Sequence, residues 1–277
     1  MFADVYRVSE KLTLATEADV LAAQQQLGCA FPDGYAEFVT TLGEGEFCSS
    51  VRVYLPNRIL AERDAIRQML IKSTHFWTYE GMELDAQRLP ELIIIADTID
   101  SDYIGFHPDD PGCLYILPRH DDQIAQVRDG LAAAAREALG QIATDFRYFE
   151  SYIDRSYIQA RNMITDFTSV YEDWFFTLGT PQYRVDYIQV RQSHPKAGPA
   201  ERSFLWINGK PHETTDLPRN IMMFFRRFDG YIHYIRETAG RNFVSVSYDA
   251  QSQDPLLAQI HTYLRAHGFV YEGEHHA

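Results

Sequence analysis

Cysteine is scarce in this 277-residue chain: Cys29, Cys48 and Cys113 stand far apart, with no Cys-x-x-Cys pair. So small and odd a set excludes a disulfide framework and offers no zinc knuckle, and it suits a reducing cytoplasm. No apolar run approaches the length that spans a bilayer, and Met1-Phe2-Ala3-Asp4-Val5-Tyr6-Arg7 has no basic segment leading into an apolar one. The expectation is a protein neither exported nor embedded in a membrane. Bases are outnumbered as well, 25 Lys+Arg against 39 Asp+Glu. That balance repels nucleic acid and anionic membranes. Internal repeats and low-complexity linkers are absent, so any domains are expected to touch.

What is present suits folded domains. Hydrophobic residues make up 45% and charged residues 23%, a globular mixture, and the length fits two cores better than one. The acidity is uneven. Residues 1–150 hold 12 Lys+Arg and 25 Asp+Glu, net −13, while residues 151–277 hold 13 and 14, net −1. Within residues 91–122 alone, Glu91, Asp97, Asp100, Asp102, Asp109, Asp110, Asp121 and Asp122 face one base, Arg119. Such a surface either provides solubility or attracts a basic partner.

Thr16 precedes Glu17 and Asp19, an N-cap with acids in the first turn, and predicts a helix that carries Val20, Leu21 and Leu27 and stops at Gly28. Phe31, Tyr35, Phe38, Val39 and Leu42 recur at helical spacing behind Pro32, and Gly43-Glu44-Gly45 ends that helix. Alternation of Val51, Val53 and Leu55 predicts one strand over 47–54, and helical periodicity returns over 59–71. Strands are expected at Leu92-Ile93-Ile94-Ile95-Ala96, over 103–106 and over 114–117, with His120-Asp121-Asp122 at a hairpin tip. An alanine-rich helix over 131–139 follows. Phe146, Phe149, Tyr152 and Ile153 then line one face of a last predicted helix.

The opening helix, Leu27-Gly28, Phe31-Pro32, Tyr35, Phe38, the glycine-bearing break, the strand, Leu92 to Ala96 and Phe146-x-x-Phe149 occur in the order seen in SUKH (Smi/Knr-type) proteins, which residues 15–155 resemble. Gln24 stands where that family often carries an acid, and Gly43-Glu44-Gly45 replaces its usual Asn-Gly-Gly. The resemblance implies an α+β fold, helices packed on a mostly antiparallel curved sheet, within a first domain over 1–157. It also implies a non-enzymatic function: bacterial members bind and neutralise polymorphic or contact-dependent toxins, and fungal relatives regulate cell-wall synthesis. Combined with the acidity, this gives a basic toxin domain as the expected partner. The candidate partner-binding residues are Glu44, Glu46, Asp97, Asp100, Asp102, Asp109 and Asp110, with Trp77 as an aromatic anchor or, alternatively, a core residue.

Residues 158–277 carry no family signature and read as a second α+β domain. Helices are predicted over 163–176, 218–228 and 255–267, and strands over 183–191, 203–207, 231–236 and 243–248, with Asn208-Gly209 as a hairpin turn.

No catalytic, metal or cofactor motif emerges. His261 and His267 are six apart, outside i, i+4 metal geometry, and His275-His276 are adjacent. Ser101 lacks a Gly-x-Ser-x-Gly elbow, and Glu44 and Glu46 would repel phosphate from Gly43-x-Gly45. Two other readings stay open: a scaffold for a cellular protein, and an enzyme in the second domain built on Arg226, Arg227, His233 and Arg236.

Overall fold

In this computed structural model the local chemistry of the chain sets its first elements. The structure describes residues 2–139, 147–162, 183–187, 205–207, 219–236 and 242–271. Helix α1 (Glu17–Leu27) begins at an extended Thr16 whose hydroxyl accepts from the Asp19 N–H, while the Asp19 carboxylate accepts from the Thr16 N–H at 2.8 Å. This reciprocal cap satisfies donors that a bare helix end leaves open. Gly28, left-handed at φ 74°, closes the helix by donating to the Gln24 carbonyl. Helix α2 (Tyr35–Thr41) starts later than Pro32 predicts, because Gly34 at φ 84° turns the chain first.

The strand expected over 47–54 is instead a hairpin of β2 (Gly45–Phe47) and β3 (Val51–Val53), registered by Phe47 opposite Val51. Cys48 and Ser49, at φ 52° and 49°, reverse the chain between them. Pro56 opens helix α3 (Pro56–Ser73). The chain continues through β4 (Ile93–Thr98), β5 (Tyr103–His107), β6 (Asp110–Leu117), β7 (Ala125–Val127), α4 (Gly130–Leu139) and β8 (Tyr148–Ser151). With β1 (Tyr6–Arg7) these form an eight-stranded sheet in the order β1-β8-β2-β3-β4-β5-β6-β7. Only the β1–β8 pair is parallel.

Strand β8 corrects the helix expected to carry Phe149, Tyr152 and Ile153; Phe146 lies outside the described residues. Aromatics three apart imitate a helical stripe, and a strand buried on both faces has no alternation to betray it. All four β8 residues are buried. Phe149 meets Phe38 of α2 edge-on at 5.8 Å, Phe31 stacks on Tyr35 at 4.1 Å, and the buried Tyr35 hydroxyl donates to the Tyr54 carbonyl at 2.8 Å. Gly43-Glu44-Gly45 is a packing device. A Cβ at Gly45 would sit 2.3 Å from the Glu150 carbonyl oxygen, and one at Gly43 (φ 81°) 2.0 Å from that of Thr13.

The chain divides into two compact units, Met1–Arg7 with Lys11–Tyr152, and Val8–Glu10 with Ile153–Ala277. The second holds β9 (Arg155–Asn162), β10 (Tyr183–Tyr187), β11 (Leu205–Ile207), β12 (Arg219–Phe225), β13 (Gly230–Arg236), β14 (Asn242–Asp249), α5 (Pro255–Ala266) and β15 (Val270–Tyr271). Its sheet, wholly antiparallel, runs β11-β10-β12-β13-β14-β9-β15. The helix expected over 218–228 is β12 and a 3-10 turn, Arg226–Phe228. Met222, Met223, Phe224 and Phe225 are all buried, as the continuous apolar run of an interior strand requires. Helix α5 is capped by the Asp254 carboxylate, which accepts from the Leu256 N–H at 2.8 Å. Its Leu256, Leu257, Ile260 and Leu264 share a core with Ile158, Ala160, Val244 and Val246. The helix expected over 163–176 and the Asn208-Gly209 turn lie outside the described residues. The architecture is α+β, and no described helix is long and apolar enough to cross a membrane.

Candidate functional site

Strand register decides which acids of the first sheet meet. Glu46 lies opposite Glu150, Arg52 opposite Asp97, and Asp97 opposite Tyr103. Because Phe47 pairs with Val51, Glu46 also neighbours Arg52, so a polar row crosses β8, β2, β3, β4 and β5. Asp97 is buried and belongs to the frame: its two carboxylate oxygens accept from Arg52 Nε at 2.7 Å and Nη2 at 3.0 Å. Arg52 Nη2 also donates to the Thr98 carbonyl at 2.9 Å.

Glu46 is half-buried in this row, and desolvation, followed by the Glu150 carboxylate, raises its pKa against the pull of Arg52 and Tyr152. The sign for stability follows from linkage. A carboxyl with a raised folded pKa favours the fold while protonated, and that favour is lost as pH rises through the folded pKa. Glu46→Gln should therefore raise the melting temperature at pH 7, with the gain vanishing below the ordinary glutamate pKa of 4.5. Thermal melts of both proteins between about pH 3.5 and 8 measure this; equal melting throughout would mean that Glu46 is fully hydrated.

The remaining acids separate to opposite ends of β5. At one end, residues 98–102 form a turn in which Asp102 is a structural acceptor. Its Oδ2 accepts from Thr98 Oγ1 at 3.1 Å and its Oδ1 from the Arg119 N–H at 2.9 Å. Asp100 is exposed there. The Arg119 bond places the β6–β7 connection beside this turn, with Asp121 and Asp122 exposed. Trp77 takes its core alternative at the same end: the ring is 8% exposed and Nε1 donates to the Pro118 carbonyl at 2.8 Å. It packs in the interior and does not project as an anchor.

At the other end, Asp109 lies in the β5–β6 turn and Asp110 opens β6 opposite His107. Buried His107 accepts at Nδ1 from the Asp109 N–H and from Arg88 Nη2, each at 3.2 Å, so its proton resides on Nε2, 3.0 Å from Glu91 Oε2. Arg128 spans Asp110 and Glu83, both at 3.1 Å. Charge at this end is thus partly matched within the fold. Glu44, half-buried, contributes its backbone, donating to the Thr13 carbonyl and accepting from the Tyr152 N–H.

In the second unit Arg226 pairs with Glu10 at 2.5 Å and Arg227 with Asp254 at 2.7 Å. Burial lowers the His233 imidazole to about 4. Among the described residues no group of three His, Cys, Asp or Glu side chains could hold a metal ion, and the three cysteines are free thiols.

A helix closed by Leu27-Gly28, a second carrying Tyr35 and Phe38, the glycine break, and antiparallel strands behind them reproduce the expected arrangement in space. Residues 14–137 match the SMI1 / KNR4 family (SUKH-1). This SUKH-1 match spans α1 through most of α4 and includes both acidic ends of β5, whereas β8 and the units' boundary lie beyond it. No curated protein and no solved structure matches the chain. The sequence named Asp100 as a site residue but passed over its neighbours Asp121 and Asp122, which the His120-Asp121-Asp122 tip already marked as exposed. Ile99, 52% exposed, carried no sequence signal, since a lone isoleucine three residues past the apolar run of Leu92 to Ala96 is as easily read as core.

Proposed function

We propose that this protein works by binding: in the cytoplasm its SUKH-1 region engages a basic protein, and the partner class that fits best is a toxin domain neutralised by occlusion. The observation that carries this reading is the turn-bearing end of the first sheet, where Asp100, Asp121 and Asp122 face solvent above a rigid frame that includes Asp97 and Asp102. Glu44, Glu46, Asp109 and Asp110 extend the same negative field without forming the contact themselves. A field of one sign accelerates encounter with a cationic partner and is screened by salt. The family match adds protein partners as the family's mode of action. Of the residues that an enzyme reading would use, Arg226 is paired with Glu10 and Arg227 with Asp254, which supports binding over catalysis.

Polylysine serves as a first cationic probe in stopped flow. Association should slow steadily as ionic strength rises from about 0.05 to 0.5 M. Asp100→Lys combined with Asp121→Lys should slow it about tenfold, and Glu17→Lys combined with Asp64→Lys, on the exposed faces of α1 and α3, less than about threefold. Equal slowing by both pairs would put the interface elsewhere and leave the acidic turns as solubilising surface.

A further inference from the structure

The turn over 98–102 is unusual in what it leaves outside. Its polar groups are engaged in turn: the Thr98 N–H with the Asp102 carbonyl, the Ser101 N–H with the Thr98 carbonyl, and the Asp102 N–H with Thr98 Oγ1. Two neighbours brace it further, as the Ile99 N–H donates to the Ser50 carbonyl of the β2–β3 hairpin and Arg52 to the Thr98 carbonyl, both at 2.9 Å. Only Ile99 and Asp100 in this turn are exposed.

Two of its residues work against local preference. Ser101 holds φ 69°, a conformation that glycine or asparagine adopts more cheaply, and Ile99 is a β-branched apolar residue where turns favour small polar ones. An isolated exposed apolar residue is ordinary. One fixed on a strained, multiply braced turn beside an exposed carboxylate is a different object, because departures from local preference that no core packing repays gather at functional positions.

We infer that Ile99 is the apolar anchor of the acidic edge, and that the partner presents a cationic amphipathic surface: an apolar face bordered by Lys or Arg. The inference rests on the binding function proposed above and specifies the partner's chemistry. Rigidity matters here, since a turn whose backbone is already braced loses little freedom on docking. Asp100, adjacent in the chain, supplies the complementary charge at the rim of that face, and the strained Cys48-Ser49 reversal ends at Ser50, the carbonyl that holds Ile99.

The test uses the full chain and two labelled probes with equal numbers of lysines at about 0.15 M salt: polylysine, and a longer amphipathic helical peptide in which leucines are interspersed among the lysines. By fluorescence anisotropy the leucine–lysine peptide should bind about tenfold tighter, the gain expected from burying the exposed half of an isoleucine. Ile99→Asn should erase that advantage while leaving polylysine binding unchanged, and Ile99→Leu should retain it. Asparagine is favoured in turns, and Ile99→Ala gives the same comparison should asparagine shift the melting temperature. An advantage that survives both truncations overturns the inference. If polylysine binds but leucine confers nothing, Ile99 is no anchor and the acidic-edge reading stands. If neither probe binds, both fall together.

Discussion

Replacing Phe149 with alanine should cost the first unit about 4 kcal/mol, whereas Tyr152→Ala, three residues further on, should cost less than about 1 kcal/mol. Phe149 is fully buried in the middle of β8, against the ring of Phe38, with its Cζ only 2.6 Å from where a Cβ on Gly45 would be. Truncation there removes the transfer free energy of the ring and leaves a cavity that the flanking strands β1 and β2 cannot close. Tyr152 is 48% exposed beyond the end of the strand. Urea-dependent hydrogen exchange, read at amides of the first unit, separates these effects from the second unit. Equal costs for the two substitutions would restore the helical stripe and contradict the strand.

That contrast shows where sequence reading stops. The capping box at Thr16 and the Gly28 stop are written within a few residues, so α1 was legible to its last position. Helix α5, expected over 255–267, opens at Pro255 as read and ends one residue early, at Ala266. Strands β8 and β12 were not legible. In β12 the apolar residues are consecutive because both faces are covered, and a continuous run fits helix and strand equally until tertiary contacts decide. In β8 the buried Tyr148-Phe149 pair instead runs into buried Glu150 and Ser151, which no apolar pattern announces. The hairpin of β2 and β3 was missed for a related reason: Cys48 and Ser49 take positive φ without a glycine to announce it.

The site was half legible for a different reason. Charge is visible in the sequence, but the role of each charge depends on strand register. Asp97, Asp100 and Asp102 lie within six residues, yet the first is buried against Arg52, the second exposed, and the third an acceptor for two turns. Asp109 and Asp110 belong with them in the sequence and lie at the other end of β5 in space. Trp77 carries the same lesson in reverse: its indole suits an interface or a core, and its bond to the Pro118 carbonyl gives it to the core.

The Arg52–Asp97 pair joins stability to the proposed anchor, and breaking it from either side should have unequal consequences. Arg52→Ala strands a carboxylate whose side chain is 12% exposed and also strips the Thr98 carbonyl of a donor, which should cost the first unit about 3 kcal/mol. Asp97→Asn leaves a guanidinium that is 30% exposed, still holds Thr98, and can recover water, so its cost should be nearer 1 kcal/mol. Replacing both residues with apolar ones of similar volume, Arg52→Met with Asp97→Leu, removes the stranded charge and should cost less than Arg52→Ala alone. Denaturant titration of the unaltered protein and the three variants ranks these costs. The local consequence is separable from the global one, because Arg52 Nη2 is a brace on the turn that presents Ile99. Under conditions where Arg52→Ala remains folded, amide exchange over residues 98–102 should accelerate beyond that of the strands, while Asp97→Asn should leave the turn nearly as protected as in the unaltered protein. Uniform acceleration across the sheet would mean that Arg52 supports the core alone and that the turn keeps its shape without it.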